Sequence, residues 1–301
     1  MADQIFKGRI TKALSGFYYV TRFEDGITYA CKAKGIFRKK GSSPLVGDVA
    51  SFVVTHEGDK EGNIEALDPR TSVLQRPTVA NVDMGLVVFA VKDPEPNLHL
   101  LDRMLVVLEN ADLDVVICFN KTDLMDEAYV NSLSLLYESA GYKVVCTCVP
   151  DEDGKSILLP QLSGHLTTVV GPSGAGKSSI INMLRGTAAM EVGEVSEKIR
   201  RGKQTTRHVE LISLSPKNSF IVDTPGFSSL DFSDIAKEDL ASCFPEIEKR
   251  LGGCKFSSCS HIHEPVDSCI IRQAVESGEI DERRYESYVS FYEELEKMSK
   301  F

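Results

Sequence analysis

Gly171-Pro172-Ser173-Gly174-Ala175-Gly176-Lys177-Ser178 fits G-x-x-x-x-G-K-[ST], the pattern of a phosphate-binding loop. Upstream lies Asn120-Lys121-Thr122-Asp123, which has the N-K-x-D form of a guanine-reading turn. Downstream lies Asp223-Thr224-Pro225-Gly226, which has the D-x-x-G form of a magnesium and γ-phosphate motif. In ordinary small GTPases the guanine motif follows the phosphate loop. Here it comes first, so the parts of a GTPase stand in permuted order.

Each motif carries its own chemistry. Glycines let successive backbone N–H groups crowd around phosphate oxygens at a helix N-terminus. Lys177 would reach the β- and γ-phosphates, and the Ser178 hydroxyl would ligate Mg²⁺. Ser179 follows in the first turn of the helix that Ser178-Ser179-Ile180-Ile181-Asn182-Met183-Leu184 predicts. Asp223 would hold the Mg²⁺ directly or through water, and the Gly226 N–H would sense the γ-phosphate. The Asp123 carboxylate would accept from guanine N1–H and the exocyclic amine, whereas adenine would leave it unpaired, a strong basis for discrimination. Any one of these motifs alone is an ordinary turn at a strand end; the three together point to a guanine nucleotide.

Outward from the motifs the chain alternates apolar runs with helical spacing. Gly85 to Val91, Val115 to Phe119, Lys143 to Val149, Thr167 to Val170 and Phe220 to Asp223 read as buried strands. Leu98, Leu101, Met104, Leu105 and Leu108 repeat at helical spacing between the first two. Strands alternating with helices predict a mostly parallel sheet, with each motif at the carboxyl end of a strand. Before residue 72 the texture differs. Short runs such as Gly16 to Val20, Ile27 to Cys31 and Ala50 to Val54 are broken by turns, which predicts a small antiparallel barrel, OB-like in preference to SH3-like. After residue 232 Ile235 to Phe244 reads as a helix. Tyr285, Tyr288, Val289, Tyr292 and Leu295 mark an amphipathic helix whose aromatic stripe is a packing face. The expected fold is therefore multidomain α/β: an OB-like β-barrel over 1–71, a permuted P-loop GTPase domain over 72–231 and a helical zinc-binding domain over 232–301.

The 301 residues carry a net charge of −10, which argues weakly against broad nucleic-acid binding. Residues 1–50 run the other way, with nine basic side chains against four acidic, a net of +5. Such a face is either solvated surface or a small RNA-contacting module. No run of about 18 apolar residues predicts a membrane span, and the start lacks the basic and apolar regions of a secretory signal.

Of the eight cysteines, Cys31, Cys118, Cys146 and Cys148 lie in strand-like runs and read as buried thiols. Cys254-x4-Cys259-x-His261-x7-Cys269 offers four soft or borderline donors, enough for a tetrahedral Zn²⁺. On spacing alone His263 could stand in for His261. Between the phosphate loop and Asp223, the tract Lys198 to His208 holds five Lys and Arg side chains and the pair Thr205-Thr206. One of these threonines is the candidate switch residue that completes the Mg²⁺ shell with GTP; the sequence leaves both open.

Together these residues resemble the circularly permuted GTPases of small-ribosomal-subunit assembly, the RsgA family, over nearly the whole chain. The resemblance implies a cytoplasmic protein that acts as a monomer, binds GTP and GDP with Mg²⁺ and one structural Zn²⁺, and hydrolyses GTP on the 30S subunit in contact with its 16S rRNA. It favours His261 as the zinc ligand, because His261-x-x-Glu264-Pro265 matches the family, with two extra residues before Cys269. The usual Ser-Ala after the guanine motif falls near Thr147-Cys148. Gln204 stands where the family often has a histidine before its paired threonines. Gln204 is therefore the candidate for orienting the attacking water, beside Lys177, Thr205 and Thr206 as the other candidate catalytic residues.

Overall fold

The computed structural model describes residues 4–35, 37, 43–75, 78–148, 153–185, 209–214, 218–223, 232 and 235–298. Gln204, Thr205, Thr206 and Gly226 lie outside the described residues, and Asp223 is described only as backbone. The chain divides into two compact units, one of residues 1–84, 162–169 and 181–227, the other of 85–161, 170–180 and 228–301. No helix among the described residues is long and apolar enough to cross a membrane.

The first unit contains the barrel. Strands β1 (Ile5–Leu14), β2 (Phe17–Arg22), β3 (Thr28–Ala33), β4 (Val49–His56) and β5 (Glu61–Leu67) close in the order β1-β2-β3-β5-β4-β1, with β3 and β5 parallel. That closure and its parallel pair are the OB arrangement, so the OB-like expectation holds over the SH3-like one. Alternation places Ile10, Val20, Tyr29, Cys31, Ala50, Phe52 and Ile64 inside. The buried Asp48 accepts from Leu45 N–H at 2.8 Å and from Arg70 Nε at 2.7 Å, which fixes the chain where it leaves the barrel. After a short hairpin of β6 (Val73–Gln75) and β7 (Thr78–Ala80), the same unit includes strands that come much later in the sequence. β11 (Leu166–Val170) runs parallel to β13 (Ser219–Asp223), and β12 (Glu210–Leu214) lies antiparallel to β13 and touches β1 at Lys12 and Glu210. β12 was not among the expected strands. Its Glu-Leu-Ile-Ser-Leu segment is short and directly follows the basic tract, which masks its alternation.

The second unit holds β8 (Met84–Ala90), β9 (Asp114–Asn120) and β10 (Lys143–Thr147) side by side, with β9 and β10 parallel. Every residue of β8 is buried, as the continuous apolar run requires. The connections are α1 (Leu98–Asn110), capped by the Asn97 side chain, and α2 (Glu127–Ala140), capped by Asp126 and ended by left-handed Gly141. α3 (Asp153–Gln161) follows β10, and α4 (Lys177–Arg185) follows the phosphate loop.

The C-terminal part packs on α1. α5 (Pro245–Glu248), α6 (Ile270–Glu276) and α7 (Glu282–Met298) gather Phe244, Ile247, Ile271, Tyr288, Phe291 and Leu295 into a core that includes Val106. The expected helix over Ile235 to Phe244 is instead a 3-10 turn, Leu240–Cys243, ending on an extended Phe244. Pro245 accounts for the extended Phe244, because its ring disfavours helical geometry at the residue before it, and it opens α5. Polar ties accompany the core. Arg103 makes two 2.7 Å bonds to Glu294. The fully buried Arg284 donates to Asp102 at 2.6 Å and to Glu246 at 2.8 Å, while Tyr137 donates to the same Asp102 oxygen at 3.0 Å.

Candidate functional site

β9 ends on Asn120, which is buried. Its Nδ2 donates to the Ala175 carbonyl of the phosphate loop at 3.0 Å, and its Oδ1 accepts from Thr147 Oγ1 at 3.1 Å. The permuted motifs are thus joined in space, although Asn120 and Ala175 stand 55 residues apart in the opposite of the usual order. Gly176 has a φ of 95°, and a Cβ there would collide with the Asn120 amide. Glycine is therefore required both for conformation and for close approach.

Beyond Asn120 the chain turns sharply. Lys121 takes a left-handed φ of 60° and its ammonium donates to the Asp93 carbonyl. Thr122–Leu124 form a 3-10 turn, with Thr122 Oγ1 donating to the Thr147 carbonyl at 3.3 Å. Asp123 is left exposed, and the half-buried Cys148 donates its thiol to Asp123 Oδ1 at 3.0 Å. Of the four cysteines expected to be buried, Cys31 and Cys118 are, while Cys146 and Cys148 are partly exposed.

The phosphate loop runs from Gly171 into α4. Lys177 donates to the Gly171 and Pro172 carbonyls, both at 2.7 Å, so its ammonium is drawn back over the loop. Burial holds its pKa below the usual lysine value; a phosphate would offset that penalty. Ser173, Gly174, Ser178 and Ser179 are exposed around the mouth of the loop, whereas Ala175 is buried beneath it. Backbone amides at a helix start, a lysine and a hydroxyl form a polyanion cradle. The exposed carboxylate of Asp123, carried on the 3-10 turn that follows the strand tied to that cradle, is suited to a base that presents two adjacent N–H donors.

A second constellation lies in the C-terminal part. Cys254, Cys259, His261 and Cys269 bring their donor atoms within 4.8 Å of one another. His261 Nδ1 is 3.5 Å from both Cys254 Sγ and Cys269 Sγ, and those sulfurs are 3.9 Å apart. Two thiolates bound tetrahedrally at the ordinary Zn–S length lie about 3.8 Å apart, so the donors fit a zinc ion. His263 is exposed and not among the four. Burial pushes the Cys259 and Cys269 thiols up and the His261 imidazole down. A divalent cation would reverse the penalty on the thiolates and would use the imidazole as it stands, neutral.

Sequence reasoning placed the motifs and the four donors. It missed the Asp93 and Ala175 carbonyls, which carry no side-chain signal, and the residues that brace the metal cluster. Asp223 ends β13 as expected, with its backbone paired to Glu210.

The comparisons agree with this geometry. The family model for the RsgA GTPase matches residues 67–233, and that for the RsgA N-terminal domain matches 7–64. The chain is similar to the Small ribosomal subunit biogenesis GTPase RsgA of Agathobacter rectalis, 45% identical over 98% of this chain and 99% of the relative. It is similar to the protein of the same name from Alkaliphilus metalliredigens, 44% identical over 98% and 99%. Among solved structures it resembles YloQ, described as a circularly permuted GTPase, with a TM-score of 0.83 and 36% identity over 98% of this chain and 96% of that one. It also resembles YjeQ from Thermotoga maritima, with a TM-score of 0.80 and 34% identity over 97% and 99%. With its phosphate loop bonded to a guanine motif that precedes it, and with these relatives matched from end to end, the chain is a GTP hydrolase and belongs to the RsgA GTPase family.

Proposed function

We propose that this GTPase binds the small ribosomal subunit and hydrolyses GTP there during late assembly or maturation. The observation that carries the reading is the Asn120–Ala175 bond, taken with full-length relatives named for small-subunit biogenesis. Asn120, Lys121, Thr122 and Asp123 hold the base; residues 171–179 hold the phosphates. Ser178, Asp223 and one of Thr205 and Thr206 complete the Mg²⁺ shell. Lys177 stabilises charge on the phosphates, the Gly226 N–H senses the γ-phosphate and Gln204 orients the attacking water.

Cys254, Cys259, His261 and Cys269 hold one Zn²⁺ in a closed structural site, with no open position for a water nucleophile. The barrel, residues 1–71, contacts 16S rRNA. Support comes from the basic excess of residues 1–50 and from Lys32, exposed and set over the Phe17 ring at 5.3 Å, an aromatic and cationic pair suited to a base. Several other cations of the barrel face acids, Lys7 with Asp68 and Lys12 with Glu210 among them, in exposed pairs that release easily to phosphate. Residues 72–231 form the nucleotide domain and 232–301 the zinc domain of a cytoplasmic monomer.

Co-sedimentation with purified 30S subunits tests the reading. Binding with a non-hydrolysable GTP analogue should exceed binding with GDP. Equal and weak binding in both states would refute a nucleotide-controlled partnership.

A further inference from the structure

His261 is the only imidazole in the cluster, and its backbone is unusual. It has a left-handed φ of 63°, which residues bearing a Cβ seldom adopt without outside support. The support comes from three side chains, none of them a donor to the cluster. Glu264 Oε1 accepts from the Ser260 N–H at 2.8 Å and from the Ser260 hydroxyl at 3.2 Å, and Glu264 Oε2 accepts from the Ile262 N–H at 3.2 Å. One carboxylate therefore straddles His261, taking the amide before it on one oxygen and the amide after it on the other. Tyr288 donates to the Ser260 carbonyl at 2.9 Å, and Tyr285 donates to the His261 carbonyl at 2.7 Å. The peptide groups on both sides of His261 are pinned by the carboxylate and the two phenols.

The consequence lies in which ring nitrogen meets the sulfurs. Nδ1 is the nitrogen within 3.5 Å of Cys254 and Cys269. It is bonded to the ring carbon that carries the side chain, so it reaches less far from the backbone than Nε2. Only two torsions separate it from the main chain, and a metal bond through Nδ1 demands a backbone held in one place. His263, two residues on, is exposed and has no such frame.

We propose that Glu264 is the positioning residue of the metal centre, and that it fixes the left-handed backbone of His261 so that Nδ1 is the nitrogen that takes the metal. This rests on the reading of the cluster as a zinc site. Outer residues that orient a metal ligand typically contribute about 10–100-fold in affinity, and the same range is expected here.

The test measures metal, not turnover. Full-length protein, wild type, E264Q and E264A, is titrated with Zn²⁺ against a chromophoric chelator. Wild type should bind one zinc per chain. E264A should bind about 10–100-fold more weakly. E264Q, which keeps one acceptor oxygen but turns an amide donor toward the other N–H, should fall between. Because E264A could fail to fold, the wild type carries a second measurement. After substitution with ¹¹³Cd and labelling with ¹⁵N, the cadmium coupling should appear on His261 Nδ1. Coupling to Nε2, or equal zinc affinity in wild type and folded E264A, overturns the proposal and leaves the zinc site standing. A wild type that binds no zinc overturns both.

Discussion

The Asn120 amide donates to the Ala175 carbonyl at 3.0 Å, so the guanine strand and the phosphate loop are held together by a buried side chain. Permutation changes which motif the ribosome makes first, yet this bond returns the two to their working relation. Asn120→Ala would leave the Ala175 carbonyl and the Thr147 hydroxyl without that partner. An unsatisfied buried group costs about 1–3 kcal/mol. GTP and GDP affinities should therefore fall together, roughly tenfold or more, with the preference for guanine over xanthine kept. Competition binding with the four nucleotides checks it, and an unchanged GTP affinity would remove the tie from the account.

Asp123→Asn should behave differently. The amide can donate to the extra carbonyl of xanthine, where the carboxylate cannot, so xanthosine triphosphate should gain as GTP loses. Losing a two-pronged contact to a charged acceptor should cost GTP on the order of 2–4 kcal/mol. A mutant that keeps full GTP preference would show that Asp123 does not read the base.

The buried Arg284 joins α1 through Asp102 to α5 through Glu246, within one compact unit. Arg284→Met removes the cation and strands two carboxylates, a change of the kind that costs about 3–5 kcal/mol. Urea unfolding should show that loss. Replacing all three charged residues with apolar ones of similar volume should recover much of it, because the penalty comes from the uncompensated acids.

Glu109 supplies the pH dependence. Burial, with Glu248 nearby, raises its pKa from 4.5 to about 7. A raised carboxylate binds its proton more tightly when folded. Its contribution is therefore fully present below the unfolded value of 4.5 and is lost as pH rises through about 7. Glu109→Gln should raise stability at pH 8, on the order of 1–2 kcal/mol after solvent screening, and change little at pH 5. Thermal unfolding at the two pH values measures this; equal effects at both would show that Glu109 is not the titrating group.

The site was legible wherever chemistry dictates a side chain at a fixed spacing. Phosphate binding needs Gly171 to Ser178, base reading needs Asn120 to Asp123, and a thiolate metal site needs Cys254, Cys259 and Cys269; each pattern stands in the sequence. The strand–helix rhythm around β8, α1 and β9 was equally plain, because continuous burial leaves an uninterrupted apolar run. What escaped depends on partners remote in sequence or on backbone atoms. Arg284 meets Asp102 across 182 residues, and nothing local in either marks the pair. The Glu264 carboxylate looks like an ordinary surface acid until the turn at His261 brings two amides to it. Over Ile235 to Phe244 the sequence suggested a helix, and the chain instead makes a 3-10 turn at Leu240–Cys243 and extends at Phe244 before Pro245.

Catalysis is the central claim. Ras-type enzymes place a water-orienting glutamine directly after D-x-x-G; this chain has Phe227 there, whose side chain cannot hold a water by hydrogen bonding. Lys177 and the phosphate loop are placed to take the phosphates, but the attacking water needs another partner, and Gln204 is the proposed one on the small subunit. The direct measurement is multiple-turnover GTP hydrolysis with and without purified small subunits, for wild type and Gln204→Ala. The account predicts slow turnover alone and strong acceleration on subunits. It also predicts that the mutant loses at least about tenfold of the stimulated rate, about 1.4 kcal/mol, with GTP affinity nearly unchanged. Fast hydrolysis by the isolated protein, unaltered by subunits, would contradict the claim that the ribosome completes the active site.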